Sequence, residues 1–364
     1  MADKTSEAWE KYLDAHPEVE ETIALNGVCE VTAESIKQFR EPRLMLAKRG
    51  INVLSASRSS YYLGDFNVFE RFPDTRDLRP EYCELPAYET LDIEHISSES
   101  NAINALIISG ILDKFLGEYN TVETFNGRMG TGEFDFCIDR FNGKSSQITV
   151  NNAQLEIDGG FENDSSVTIM EAKNVIHEDF NIRQLYYPFR KYRKLVKKPI
   201  RLVFSQYTNL SYNLFEYEFS DPNDFSSIRL LRKAAYTFEE DLITADNLWT
   251  VWKKTRIVQE NPTIPFPQAD RIDRILSLIE FLSGRSDGAT AEITNFMGTV
   301  ERQAAYYPTA GRYLGLFEKP KPGITTLTDR AKSMLGKKSR SERLLQYAGF
   351  ILEHAVFHKL YQRT

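Results

Sequence analysis

The sequence is poor in cysteine, histidine and long apolar runs, and each shortage closes off a class of function. Its three cysteines, Cys29, Cys83 and Cys137, are scattered and form no CxxC pair, so neither a disulfide framework nor a zinc site is expected. The five histidines show no metal-ligand spacing, and no Gly-x-Ser-x-Gly or Cys/His pattern points to acyl transfer. No stretch approaches the roughly 18 apolar residues of a membrane span, and Met1-Ala2-Asp3-Lys4 opens no apolar leader, so a soluble protein of the reducing cytoplasm is expected. Positive charge is also in deficit: 45 Lys and Arg against 52 Asp and Glu give a net charge of −7, which argues against a protein that coats nucleic acid non-specifically. A site-specific nucleic-acid enzyme stays open, because clustered carboxylates hold metal and local basic patches suffice for phosphates.

The 364 residues, 41% of them hydrophobic, supply material for two or three cores. Proline-containing breaks at 71–88 and 259–268 divide the chain into segments expected at 1–90, 91–258 and 259–364. The first reads as a small α+β unit, with a helix-like piece at 32–40 and strand-like runs at 51–54 and 61–69. The middle segment reads as a helix over 97–116, strands at 133–138, 147–157 and 167–173, a helix over 180–196, and strands at 200–204 and 212–219. That order predicts an α/β (α+β) core with a mixed sheet flanked by helices. The last segment reads as helices over 272–282, 291–297 and 300–314 with a short hairpin at 315–317 and 326–327. This is a winged-helix arrangement, and a further helix over 341–360 follows it.

The most informative stretch is 153–174, AQLEIDGGFENDSSVTIMEAKN. It reads as a strand ending at Asp158, a tight turn through Gly159 and Gly160, and a second strand running into Glu171-Ala172-Lys173. Residues two apart on a strand share a face, so Glu171 and Lys173 project together and Asp158 on the neighbouring strand meets them. Converging carboxylates bind Mg²⁺ through oxygen. The metal lowers the pKa of its water and neutralises charge building on a phosphorus, while an adjacent lysine orients that water or helps deprotonate it. The bland reading, a surface ion pair on a hairpin, has to explain why an apolar strand ends in this trio.

Downstream, 181–198 (NIRQLYYPFRKYRKLVKK) interleaves Arg183, Arg190, Lys191, Arg193, Lys194, Lys197 and Lys198 with four aromatic residues. The aromatics are expected to pack the helix on the sheet while Arg183 and Arg190 face phosphates, or else the basic face is merely solvated; Pro188 should kink or restart the helix. The segment Phe125 to Gly132 reads as a glycine-rich turn that lacks the spacing and lysine of a phosphate-gripping loop; it is either a DNA-contacting loop with Arg128 at its tip or a plain hairpin turn. In the last segment, Arg302, Gln303 and Tyr306 fall at the start of the expected recognition helix, and Arg and Gln suit purine edges. The cluster Lys332, Lys337, Lys338, Arg340 and Arg343 is either a phosphate clamp or a solvated loop.

With its IMEAKN and QLYYPFR segments followed by a winged-helix pattern, the chain resembles the PD-(D/E)xK nucleases. It resembles in particular a group of bacterial type II restriction endonucleases, over about two thirds of its length. The resemblance implies a restriction-endonuclease-like core that hydrolyses phosphodiester bonds of double-stranded DNA at a short site with Mg²⁺. It places the first acid on Asp158, the second on Glu171 and the lysine on Lys173, with Glu99 as a further metal ligand and Gln184 beside the site; Ile157 stands where the named signature has proline. Glu99 has a second explanation, an acid at a helix start. A homodimer and a DNA methyltransferase of matching specificity as genomic companion are implied as well. Two other readings stay open: a methylation-dependent or other defence nuclease of the same fold, for which the aromatic Tyr61, Tyr62, Phe66 and Phe69 leave room for a base pocket, and a non-catalytic winged-helix DNA-binding regulator.

Overall fold

The computed structural model describes residues 4–32, 49–86, 88–90, 96, 98–240, 243–299, 301–337 and 339–363, with side chains from residue 8 onward. The helix-like piece expected at 32–40 lies outside them except for Thr32, as do Val300 and Lys338. Helices α1 (Lys4–Ala15) and α2 (Pro17–Asn26) cover a three-stranded antiparallel sheet of β1 (Val28–Thr32), β2 (Asn52–Ser55) and β3 (Ser60–Gly64). Trp9, Leu13, Val19 and Ile23 from the helices meet Val31, Val53 and Leu63 in a small separate core. Pro17 at the first turn of α2 and Gly27 at φ 85° after its end mark the start and stop of that helix.

The central unit contains β4 (Phe69–Arg71), β5 (Glu81–Tyr82), α3 (Glu99–Ile108), α4 (Ile111–Leu116), β6 (Val122–Gly130), β7 (Glu133–Asp139), β8 (Ser145–Asn151), β9 (Gln154–Glu162), β10 (Val167–Lys173), β11 (Asp179–Asn181), α5 (Arg183–Tyr192), β12 (Ile200–Thr208), β13 (Ser211–Phe219) and β14 (Ile228–Thr237). Seven strands form one mixed sheet in the order β5-β14-β13-β12-β10-β9-β6, with β10 parallel to β12 and antiparallel to β9. Two cores flank it. One, under α3 and α4, gathers Ile103, Leu106, Leu112 and Phe115 against Met170, Ala172 and Val203; the other, under α5 and the β7–β8 hairpin, gathers Leu185, Tyr186 and Tyr187 against Ile157, Ile169 and Phe204. The mixed sheet flanked by helices is thus observed. Because β10 is covered on both faces, Val167 to Met170 carries no charge and reads as a buried run up to Glu171, as central strands do.

Four expected boundaries move. Gly159 and Gly160 are not a turn but lie inside β9, where a Cβ would collide with the rings of Phe161 and Phe125 respectively. The turn falls later, where Asn163 Oδ1 accepts from the backbone N–H groups of Ser165 (3.0 Å) and Ser166 (2.8 Å). The glycine-rich segment around Arg128 is strand rather than loop: Gly127, at φ 91°, marks an irregularity in the register of β6 on β9, as a bulge glycine does. Gly110 at φ 70° splits the expected helix over 97–116 into α3 and α4, and α5 runs through Pro188 but stops at Tyr192.

The last unit comprises α6 (Ala245–Lys254), α7 (Ile272–Ser283), β15 (Gly288–Ala289), α8 (Thr290–Met297), α9 (Glu301–Ala304), α10 (Tyr306–Tyr313), β16 (Phe317–Glu318), β17 (Ile324–Leu327), α11 (Asp329–Leu335), α12 (Arg340–Leu352) and α13 (Ala355–Arg363). Its three short strands pair antiparallel in the order β15-β17-β16 beside α7, α8 and α10. The segment boundaries shift accordingly. Strands β4 and β5 belong to the central unit, pairing with β11 and β14, whereas α6 joins the last unit through Trp252 Nε1, which donates to the carbonyl of His358 at 3.1 Å. Among the described residues no helix is long and apolar enough to cross a membrane.

Helix α7 binds the last unit to the central one at two points. Arg274, 1% exposed, donates to the Glu178 carboxylate and the Met297 carbonyl with its guanidinium 4.9 Å over the Tyr307 ring. Glu280 accepts from Thr208 Oγ1 at 2.9 Å and from the Asn209 backbone N–H at 3.0 Å.

Candidate active site

The two central strands deliver three charges to one point. Asp158 on β9 receives the Ala172 backbone N–H at 2.9 Å, which locks the end of β10 against it. Lys173 Nζ then lies 2.8 Å from Glu171 Oε1 and 3.5 Å from Asp158 Oδ2, and donates to the Ala172 carbonyl at 2.6 Å. Glu99, at the start of α3 where Ser98 caps the helix by accepting the Asn101 N–H, stands 3.4 Å from the same ammonium. Gln184 of α5 donates to Glu171 Oε1 from the other side. Asp158, Glu171, Lys173, Glu99 and Gln184 therefore line one cleft of about 250 Å³, together with Glu156 and Arg183. Glu156 was overlooked in the sequence although its spacing of two from Asp158 puts both on one strand face.

Burial governs the electrostatics. It pushes the Glu171 carboxyl up to about 7, with the charges of Asp158 and Glu99 adding and Lys173 opposing. Burial works against charging Lys173, but Glu171, Asp158 and Glu99 outweigh it and hold the ammonium protonated well above the usual lysine range. Among the described residues no three His, Cys, Asp or Glu side chains converge closely enough to grip a metal as they stand. The Lys173 ammonium occupies the middle of the carboxylates, the place a cation would take. An all-oxygen set of Glu99, Asp158 and Glu171 suits a hard ion such as Mg²⁺ once that ammonium moves aside.

Beside the cleft runs a groove of about 590 Å³ to which all three units contribute: Ser55 and Tyr61 from the first, Arg128, His177, Asp179 and Arg183 from the central one, Gly298 from the last. Arg128 on its wall pairs with Glu156 at 3.1 Å, and Arg183 donates to the Gln154 carbonyl at 3.2 Å. Arg190, expected to face phosphates, is placed inside the fold instead. It donates to the Asp135 carbonyl (3.0 Å) and the Tyr186 hydroxyl (2.8 Å) and stacks 5.0 Å over Phe134, which satisfies a charge that would otherwise be costly to bury. Two other basic residues of this stretch are also engaged within the molecule: Lys191 donates to the Gly130 carbonyl at 2.6 Å and Lys198 to Glu162 at 2.7 Å. In the last unit Arg302 and Gln303 are exposed on α9, where Arg302 Nε donates to Tyr306 OH at 3.3 Å and Gln303 accepts from Thr299.

Asp179 at the groove is pushed up to about 6 from 3.8, chiefly by burial, with Glu178 adding and Arg71 and Arg274 opposing. Below pH 3.8 folded and unfolded chains both hold this proton. Between there and about 6 only the unfolded chain releases it, so stability falls across that window and no further above it. The full effect is of the order of 3 kcal/mol. Asp179→Asn should remove the slope, so that its urea midpoint exceeds the wild type's at pH 7 and matches it near pH 4. An equal difference at both pH values would show that Asp179 does not titrate in this way.

Residues 64–237 match a family model described as Domain of unknown function (DUF6997), and residues 274–364 match another described as Domain of unknown function (DUF7226). No curated protein and no solved structure matches the chain. The first match falls on the central unit and the second on the C-terminal unit from α7 onward.

Proposed function

We propose that the protein is a Mg²⁺-dependent endonuclease of the PD-(D/E)xK type, built like a type II restriction enzyme, that cuts double-stranded DNA and carries a C-terminal winged helix. The observation that carries this reading is the gathering of Glu171, Asp158 and Glu99 around Lys173 in one cleft, beside a groove that all three units line. The order α3, β6, β9, β10, α5, β12 supports it, as does the succession of helices and short antiparallel strands in the last unit.

Glu99, Asp158 and Glu171 would hold the metal, which when bound supplies an acidified water and neutralises charge on the scissile phosphate. The chain's own groups do the rest. Gln184 ties down Oε1 of Glu171 and so fixes the direction of its second oxygen. The Ala172 N–H does the same for Asp158 Oδ2. Lys173 orients the attacking water or helps deprotonate it. Arg183, lining both the cleft and the groove, meets the adjoining backbone phosphate. Two copies, one for each strand, complete a double-strand cut, and a DNA methyltransferase of matching specificity is the companion such an enzyme requires.

Digestion of methylated and unmethylated phage DNA tests the reading. Discrete fragments are expected with Mg²⁺ and none with chelator. Cleavage of the methylated DNA alone would make the enzyme modification-dependent, and no Mg²⁺-dependent cleavage of either DNA would leave the winged-helix regulator as the better reading.

A further inference from the structure

A second cavity, of about 900 Å³, opens between the central sheet and the last unit, away from the cleft of Glu171. Its wall holds Asn174, the residue directly after Lys173, and both polar atoms of the Asn174 amide are buried without a hydrogen-bond partner. An orphaned buried amide costs stability that an apolar side chain would not, so it marks a place where a ligand supplies the missing partners. Glu280 also lines the cavity, its carboxylate fixed by Thr208 and Asn209. Phe281 and Phe296 stack on one another there with centroids 4.2 Å apart. At the rim stand Arg285 and Lys332, about half and two-thirds exposed; Arg285 pairs with Glu292 at 3.4 Å and lies 4.2 Å over the Phe281 ring, and Lys332 meets Asp329 at 3.5 Å.

We propose that this cavity binds a nucleotide whose base carries an exocyclic amine, the base lying against Phe296, whose partner Phe281 is covered on its other face by Arg285, and the phosphate at Arg285 and Lys332. A carboxylate accepts from an exocyclic amine and an asparagine amide both donates to and accepts from a base edge, so Glu280 and Asn174 together read a base. Ring faces supply stacking, and guanidinium and ammonium groups meet the phosphate. Competing ligand classes fit less well. An apolar molecule leaves Asn174 unsatisfied, and neither it nor a bare anion uses the ring face of Phe296. The volume, within the range of small-molecule sites, admits a nucleotide with water. The same chemistry is presented by a free nucleotide and by a base swung out of a duplex. The pocket rests on its own lining; only the duplex source depends on the nuclease reading.

The test uses the full chain in chelator, so that cleavage plays no part. One arm titrates dAMP and dCMP and reads the melting temperature and calorimetric affinity. The other adds a duplex carrying 2-aminopurine at a mismatch and reads base fluorescence, with anisotropy of the same duplex reporting whether DNA binds at all. A free nucleotide that raises the melting temperature, or a base whose fluorescence rises in bound duplex, supports the pocket and identifies the source. Asn174→Leu and the rim variant Arg285→Glu should each weaken the response about tenfold, one lost base or phosphate contact. Asn174→Leu should itself melt no lower than wild type, since it removes an unsatisfied amide. The proposal is overturned if neither arm responds in the wild type, or if both variants respond as it does. Loss of anisotropy alone would count against the DNA reading and leave the free-nucleotide arm to decide the pocket.

Discussion

Glu171→Gln and Lys173→Ala are each expected to slow single-turnover DNA cleavage by at least about a thousandfold, the scale of losing a metal ligand or a water-orienting group. Binding to DNA should survive within a few fold, because neither side chain is exposed enough to serve as a main contact. The two substitutions act differently. Gln keeps the shape of Glu171 and its bond to Gln184 but removes the charge, whereas Ala at Lys173 leaves three carboxylates facing one another without their counter-ion. Lys173→Ala should therefore also lower the melting temperature in chelator, with added Mg²⁺ restoring part of the loss. Cleavage by either variant at close to the wild-type rate would remove these residues from the chemistry.

The second large effect is expected at α9. If the last unit reads DNA as a winged helix, Arg302→Ala or Gln303→Ala should weaken binding to the cognate duplex by about 10- to 100-fold, about 1 to 3 kcal/mol, and barely alter binding to scrambled DNA. Both side chains are exposed, and their partners Tyr306 and Thr299 hold them at the start of the helix pair α9–α10. Lys337→Ala gives the contrast, weakening cognate and scrambled duplexes alike and flattening the salt dependence, as loss of a phosphate contact does. Binding curves on both duplexes at two salt concentrations separate the cases. Unchanged cognate affinity in the Arg302 and Gln303 variants would move sequence reading to the groove wall near Arg128 and Tyr61.

How far the sequence discloses this arrangement depends on the length scale of each cause. Strand β10 is legible because burial on both faces writes an apolar run, and the charges that end it have to meet partners. The pairing of Asp158 with it follows from strand periodicity. The glycines after Asp158 misdirect, since their reason is two phenylalanine rings, and only the folded sheet brings Phe125 across from β6. Arg190 misdirects for a similar reason: a basic residue in a basic run reads as surface, and what makes its burial tolerable is a carbonyl 55 residues earlier and a ring on the β7–β8 hairpin. The unit boundaries shift because β4, β5 and α6 find partners distant in sequence, which no proline pattern records. Asn174 gives no local signal at all. Many of its neighbours in the cavity come from α7, α8 and α11, about 100 to 160 residues away.

Helix α7 has a mechanical role that follows from its two attachments. Arg274 near its start and Glu280 near its end are both pinned to the central unit, one at the chain leaving β10 and the other at the tip of the β12–β13 hairpin. A rod fixed at two points does not swivel. On the nuclease reading, the distance from the bases touched by α9 to the bond cut at Lys173 is then set by this rod. Such an enzyme keeps a constant offset between the sequence it reads and the place it cuts.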